Sequence, residues 1–145
     1  PCIDTSLHKT EIIGQVARRF EESLRNWKQE NQNGKVVAVV GVGCDGHTSG
    51  IMPIPEDKKK FEELFENEKW VVGYDTEERI PFRERVTTTI TFMKNEIDYS
   101  FVYISDEKKK DILEKVLEKD KPIHEIPGRV INEMKNVEIL TVVNV

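Results

Sequence analysis

Asp45 and His47, two residues apart, sit inside the stretch Gly41-Val42-Gly43-Cys44-Asp45-Gly46-His47-Thr48-Ser49-Gly50-Ile51-Met52-Pro53, which holds four of the chain's eight glycines. Glycines let a backbone turn sharply and let a ligand come close. From one such turn an aspartate and a histidine can project toward the same substrate. A carboxylate beside an imidazole selects its tautomer and raises its basicity, which suits a general base working near neutral pH. By spacing alone two readings stand, a catalytic pair and an ordinary polar loop, because Gly-x-Gly and loop histidines are both common. Cys44 reads as the occupant of a small-residue position, with no neighbour that would activate its thiol. His8 in the opening segment and His124 in a proline-bounded turn read as solvated side chains. Cys2 and Cys44 make neither a disulfide framework nor a metal cluster, so no metal site is read from the sequence.

The elements on either side decide where that stretch can lie. From Thr10 to Asn31 the residues Ile12, Ile13, Val16, Ala17, Phe20, Leu24 and Trp27 share one helical face, so an amphipathic helix packed on something flat is expected. Asn33-Gly34 breaks it, and the β-branched run from Lys35 to Gly43 reads as a strand covered on both faces. The glycine-containing stretch then forms a loop at that strand's carboxyl end, which is where open α/β sheets bind ligands. Further on, a short helix is expected over Glu56 to Asn67 and strands over Lys69 to Tyr74, Arg85 to Phe92 and Tyr99 to Ser105. A helix over Asp106 to Lys119, a short helix over Gly128 to Met134 and a last buried strand over Val137 to Val143 complete the pattern. Trp27 and Trp70 fall on inward positions and read as core. Strands alternating with helices call for an α/β fold, a mostly parallel sheet flanked by helices.

The chain has 145 residues, 37% hydrophobic and 34% charged, which suits a single α/β domain over residues 10–145 after a loose segment at 1–9. Its formal net charge of −5 leaves no global basic field for nucleic acid or an anionic membrane. No apolar run approaches the ~20 residues that span a bilayer, so a soluble, cytoplasmic protein without membrane or nucleic-acid partners is expected. The three lysine runs, Lys58 to Lys60, Lys108 to Lys110 and Lys119 to Lys121, each lie beside acidic residues and read as solvated faces.

The loop resembles the Asp-Gly-His signature of the family that joins 6-phosphogluconolactonases with glucosamine-6-phosphate isomerases (deaminases), in which a buried strand ends in Gly-x-Gly-x-Asp-Gly-His-Thr and the loop closes on proline. Arg85-Val86-Thr87-Thr88-Thr89 is similar to that family's Arg-Val-Thr-Leu-Thr strand, and Pro127-GRVINEMKNVEIL to its closing segment. Phe101 to Leu113 resembles its strand, turn and helix with a lysine, a position that Lys109 takes by its spacing to Leu113. The resemblance implies a Rossmann-like sheet, no metal or organic cofactor, and a phosphorylated sugar as substrate. It further implies that His47 is the acid/base residue that activates water for lactone ring opening in the pentose phosphate pathway, with Asp45 orienting it. Gly41, Gly43, Gly46, Thr48, Arg85 and Lys109 would surround the substrate, the last two as its positive charges.

Two departures carry expectations of their own. Asp106 stands where the family often has glycine, and the family's N-terminal half, with its phosphate loop, has no counterpart before Thr10. A sheet edge or face left uncovered is therefore expected, with pairing either to another copy or to an N-terminal part. Between His47 and Pro53 there is no carboxylate of the kind deaminases carry, which favours ester hydrolysis over deamination. The alternatives are the isomerase/deaminase reaction and a non-catalytic fragment used in binding or assembly.

Overall fold

The computed structural model describes residues 2–77 and 81–143. Residues 2–12 hold no helix or strand, yet Arg19 ties them down: its guanidinium donates to the carbonyls of Asp4 (2.6 Å) and Ser6 (2.7 Å) and pairs with Glu11. Helix α1, Ile13–Glu30, starts where the Gln15 side chain takes the Ile12 N–H, and it ends where the Asn31 side chain and N–H take the Trp27 carbonyl. Its buried residues Val16, Ala17 and Leu24 lie on the stripe read from the sequence. The flat partner is a hairpin, β2 (Val71–Asp75) paired antiparallel with β3 (Glu84–Thr88).

The main sheet is parallel and three-stranded, in the order β1 (Val37–Gly41), β4 (Tyr99–Ile104), β5 (Val137–Thr141). One face is packed: Val40, Val102 and Ile104 are buried in a core shared with Phe61 and Phe65 of α2 (Lys58–Phe65) and with Ile112, Leu113 and Val116 of α4 (Lys110–Leu117). The other face is open. Val39 is 79% exposed, and Val37, Tyr99, Phe101, Tyr103 and Leu140 also face solvent. The expectation of strands covered on both faces therefore fails for β1 and for the last strand, whose outward residues lie in solvent with no layer of the described residues over them. Continuous β-branched sequence reports what a face is suited to, and here only one face has its layer.

The strand expected over Arg85 to Phe92 stops at Thr88. The Thr89 hydroxyl accepts the Phe92 N–H at 3.1 Å and so starts helix α3, Ile90–Asn95. A cap of this kind is worth about 1 kcal/mol, enough to redirect a threonine-rich run whose strand preference depends on context. The helix expected from Asp106 opens instead as a 3-10 turn, Glu107–Lys109, with the Asp106 carboxylate accepting the Lys108 N–H (3.0 Å), before α4 begins. The short helix over Gly128 to Met134 is a 3-10 segment, Pro127–Asn132. Lysine runs on α2 and α4 pair with acids one turn on, Lys58 with Glu62 and Lys110 with Glu114, as solvated faces do.

Two buried polar features carry predictions. The Ser100 hydroxyl, on the packed face of β4, is buried without a hydrogen-bond partner. Ser100→Ala is expected to raise stability by up to about 1 kcal/mol, read as a higher urea midpoint, because a lone buried hydroxyl costs more than it returns. The Asp98 carboxylate accepts the Val36 N–H at 2.9 Å where β1 and β4 begin, and this bond holds its pKa below the ordinary range of an aspartate. A depressed folded pKa contributes stability above the unfolded pKa, and that contribution is lost as pH falls through the folded one. Asp98→Asn should flatten the acid limb of the stability profile below about pH 4.

Candidate active site

Strand β1 delivers its carboxyl end to a tight loop whose backbone is closed on itself. The Gly43 N–H donates to the His47 carbonyl (2.9 Å), the Gly46 N–H to the Gly43 carbonyl (3.0 Å), and Val42 bridges to Thr48. Inside this turn His47 Nδ1 lies 2.5 Å from Asp45 Oδ1, and the same oxygen accepts the His47 N–H at 3.1 Å. An ionised carboxylate only accepts, so the ring proton belongs on Nδ1 and Nε2 keeps its lone pair. The ring is 40% exposed and lines a shallow cavity of about 360 Å³ with Gly41, Val42, Gly43, Ser49 and Lys109.

Lys109 differs from its neighbours in the lysine run. Lys108 and Lys110 are exposed, whereas Lys109 turns inward and its Nζ donates to the Val42 carbonyl at 2.7 Å. The 3-10 turn capped by Asp106 aims it there, so the acidic residue at the turn helps place the cation.

The other expected substrate contacts, Gly46, Thr48 and Arg85, do not line this cavity. Gly46 is buried at φ 83°, packs on Ile126, and its carbonyl accepts the Gly128 N–H at 2.8 Å. The positive φ suits a glycine, and its surroundings are protein. Thr48 is fully buried, with its hydroxyl on the Gly41 carbonyl (2.8 Å), so its side chain braces the end of β1 instead of facing a ligand. Arg85, half-buried on β3 opposite Tyr74, does not line the His47 cavity; its Nε is buried without a partner.

The hairpin still acts on the loop, through residues that the sequence reading placed on strands without a part in the site. The Tyr74 hydroxyl donates to the Gly50 carbonyl (2.7 Å) and accepts the Met52 N–H (3.1 Å), while Thr87 Oγ1 accepts the Gly50 N–H (3.1 Å). Ser49, between them, lines the cavity at φ 56°. Strand alternation marks Tyr74 as inward but cannot say that a backbone segment 24 residues earlier meets its hydroxyl. Cys44 is exposed, His8 pairs with Asp4 and Glu11 at the surface, and the His124 ring lies 6.4 Å from that of Phe61.

A groove of about 600 Å³ between α1 and β2 lies away from this chemistry, and its Glu21 is already engaged by Arg25 and the Val71 N–H. Among the described residues no group of three or more His, Cys, Asp or Glu could hold a metal ion, and no helix is long and apolar enough to cross a membrane.

Comparison with solved structures gives the same fold at low identity. A 6-phosphogluconolactonase from Shewanella baltica OS155 matches with a TM-score of 0.71 and 20% identity over 94% of this chain and 55% of its own. One from Plasmodium vivax matches at 0.72 and 16% identity over 94% and 54%, and a monomeric glucosamine-6-phosphate deaminase at 0.63 and 17% over 92% and 54%. The chain thus spans about half the length of these solved relatives. No curated protein matches it. The family model described as glucosamine-6-phosphate isomerases/6-phosphogluconolactonase matches residues 3–140, nearly the whole sequence. With that match spanning the Asp45–His47 loop, the hairpin and the closing strand, the chain belongs to the glucosamine-6-phosphate isomerase/6-phosphogluconolactonase family.

Proposed function

We propose that this chain carries the acid/base centre of a 6-phosphogluconolactonase-type hydrolase, which opens a phosphorylated sugar lactone in cytoplasmic carbohydrate metabolism. The observation that carries the reading is the His47–Asp45 pair at the rim of a cavity shared with Lys109. Asp45 holds the Nδ1 proton, so Nε2 takes a proton from water as the oxygen attacks the lactone carbonyl. The tetrahedral intermediate then collapses, the ring C–O bond breaks, and the His47 imidazolium returns the proton to the leaving ring oxygen, giving the free acid. Lys109 supplies positive charge for the phosphate or the ring oxygens, and Arg85 reaches the substrate only from beyond the cavity described here. No carboxylate lies between His47 and Pro53, which supports hydrolysis over amino-sugar deamination.

In this reading the working site takes in further polypeptide, in keeping with the chain's covering only 55% of the Shewanella baltica relative. Misplacement of the reacting carbon by about 1 Å can cost ~100-fold in rate, so the chain alone is expected to turn over little lactone. Joined to the unmatched stretch of the Shewanella baltica relative, it is expected to hydrolyse 6-phosphogluconolactone faster than it releases ammonia from glucosamine 6-phosphate. Side-by-side assays of both forms, each with its His47→Ala variant, decide the matter. Faster ammonia release would reverse the assignment, and a fully active short chain that dies on His47→Ala would show that nothing further is needed.

A further inference from the structure

Among the described residues that line the His47 cavity, Ser49 alone carries a hydroxyl. It is exposed, and its backbone sits at φ 56°, in the left-handed region that residues other than glycine enter at a cost. The turn that holds it there is closed by the Ile51 N–H on the Thr48 carbonyl at 2.8 Å. A glycine stands one position on, at Gly50, and its φ is not positive. That glycine answers a different need, because a Cβ at position 50 would lie 3.0 Å from Thr87 Cβ and 3.2 Å from Thr87 Oγ1. The strain falls on the serine.

Strain of this kind persists only where the surroundings over-determine it. Here the hairpin does so. The Tyr74 hydroxyl, on a side chain only 6% exposed, donates to the Gly50 carbonyl and accepts the Met52 N–H, which fixes the peptide groups on both sides of Ile51. Thr87 Oγ1 donates to the Thr88 carbonyl at 3.1 Å and accepts the Gly50 N–H. None of these bonds uses the Ser49 side chain. Among the described residues its Oγ has Met93 Sδ for a partner, at 3.9 Å. A thioether is a weak acceptor, so the hydroxyl loses little by turning to a ligand oxygen.

We propose that the Ser49 hydroxyl bonds a hydroxyl group of the sugar held beside His47 and Lys109, and that Tyr74 is the positioning residue that keeps Ser49 at the cavity. His47 handles the proton and Lys109 answers negative charge. A neutral donor and acceptor is what the cavity has for telling a polyhydroxylated sugar from another anion. The ligand class, a phosphorylated sugar, rests on the lactonase reading above, but the contact is read by binding without turnover, so the two can fail separately.

The 145-residue chain is titrated with 6-phosphogluconate, the acid that lactone opening yields, and separately with inorganic phosphate, each followed by amide shifts in NMR. The sugar acid is expected to shift the amides of His47, Ser49 and Lys109. Ser49→Ala, which keeps the Cβ at an exposed position, should weaken its binding about 10-fold and leave phosphate binding within about twofold. Tyr74→Phe should weaken the sugar acid similarly and speed exchange of the Met52 amide. Because Tyr74 acts through Ser49, the double variant should bind no more weakly than Ser49→Ala alone. Absence of shifts at the cavity, binding indifferent to Ser49→Ala, or an equal loss for phosphate overturns the proposal, and additive losses overturn the part given to Tyr74. Binding through Ser49 together with no lactone hydrolysis by the joined form would uphold this contact and remove the lactonase reading.

Discussion

Gly43→Ala should drive the His47 ring from its place beside Asp45 while leaving the fold intact. A Cβ at position 43 would lie 2.2 Å from both Cε1 and Nδ1 of His47 and 2.7 Å from Asp45 Oδ1, distances no real methyl group tolerates. The ring, 40% exposed, can escape by rotating into solvent, so the steric conflict is relieved at the surface and not in the core. The Nδ1–Oδ1 hydrogen bond is then lost, and with it the fixed tautomer. Once the site is complete, kcat/KM for lactone hydrolysis is expected to fall at least about 100-fold, against the ~100- to 10,000-fold expected for His47→Ala. Nitrogen NMR of the imidazole, which reports its protonated atom without any turnover, checks the structural half on the isolated chain. An unchanged tautomer and an unchanged melting temperature together would show that the turn accommodates a methyl group and that glycine is there for another reason.

Arg129→Ala is expected to lower stability by about 2–4 kcal/mol, chiefly the cost of leaving two carbonyls without their buried donor, out of a total that for domains of this size is about 5–15 kcal/mol. Arg129 is only 5% exposed. Its guanidinium donates to the carbonyls of Lys115 (3.1 Å) and Pro122 (2.9 Å) and pairs with Glu125 and Glu118, so it clasps the end of α4 to the proline-bounded turn. Arg129→Lys should recover only a small part, since one ammonium cannot serve diverging acceptors as a planar fork does. Urea unfolding followed by circular dichroism gives both numbers. The next residue back, Gly128, donates to the Gly46 carbonyl, so the loss should also loosen the His47 loop, seen as faster amide exchange there.

The Arg129 effect is not legible in the sequence. Arg129 stands in PGRVIN as one more charge in a turn, because burial of a guanidinium depends on carbonyls from Lys115 and Pro122 that arrive only when α4 and the turn have packed. Lys109 is one of three consecutive lysines, and helix pitch alone does not say which of them a strand-end carbonyl will recruit. Thr89 reads as strand because its neighbours are β-branched, while its hydroxyl makes it a helix start.

The amino-acid order by itself determined the local elements and the loop that carries chemistry. Apolar periodicity placed α1, α2, α4, β2 and β4 to within a few residues, and the alternation of helices with strands placed the chain among α/β folds. The Asp45–His47 pair needed only two intervening peptide bonds and a turn rich in glycine, so its geometry is a local property. Contacts between distant segments belong to the tertiary structure alone. It put Tyr74 and Thr87 on the loop, kept Arg85 out of the His47 cavity and buried Thr48. It also left Val39, Phe101 and Tyr103 in solvent, though in sequence they are indistinguishable from buried strand residues. The physical reason is the same in each case: pattern and propensity act between neighbours along the chain, whereas burial is decided by which layer comes to rest on which face.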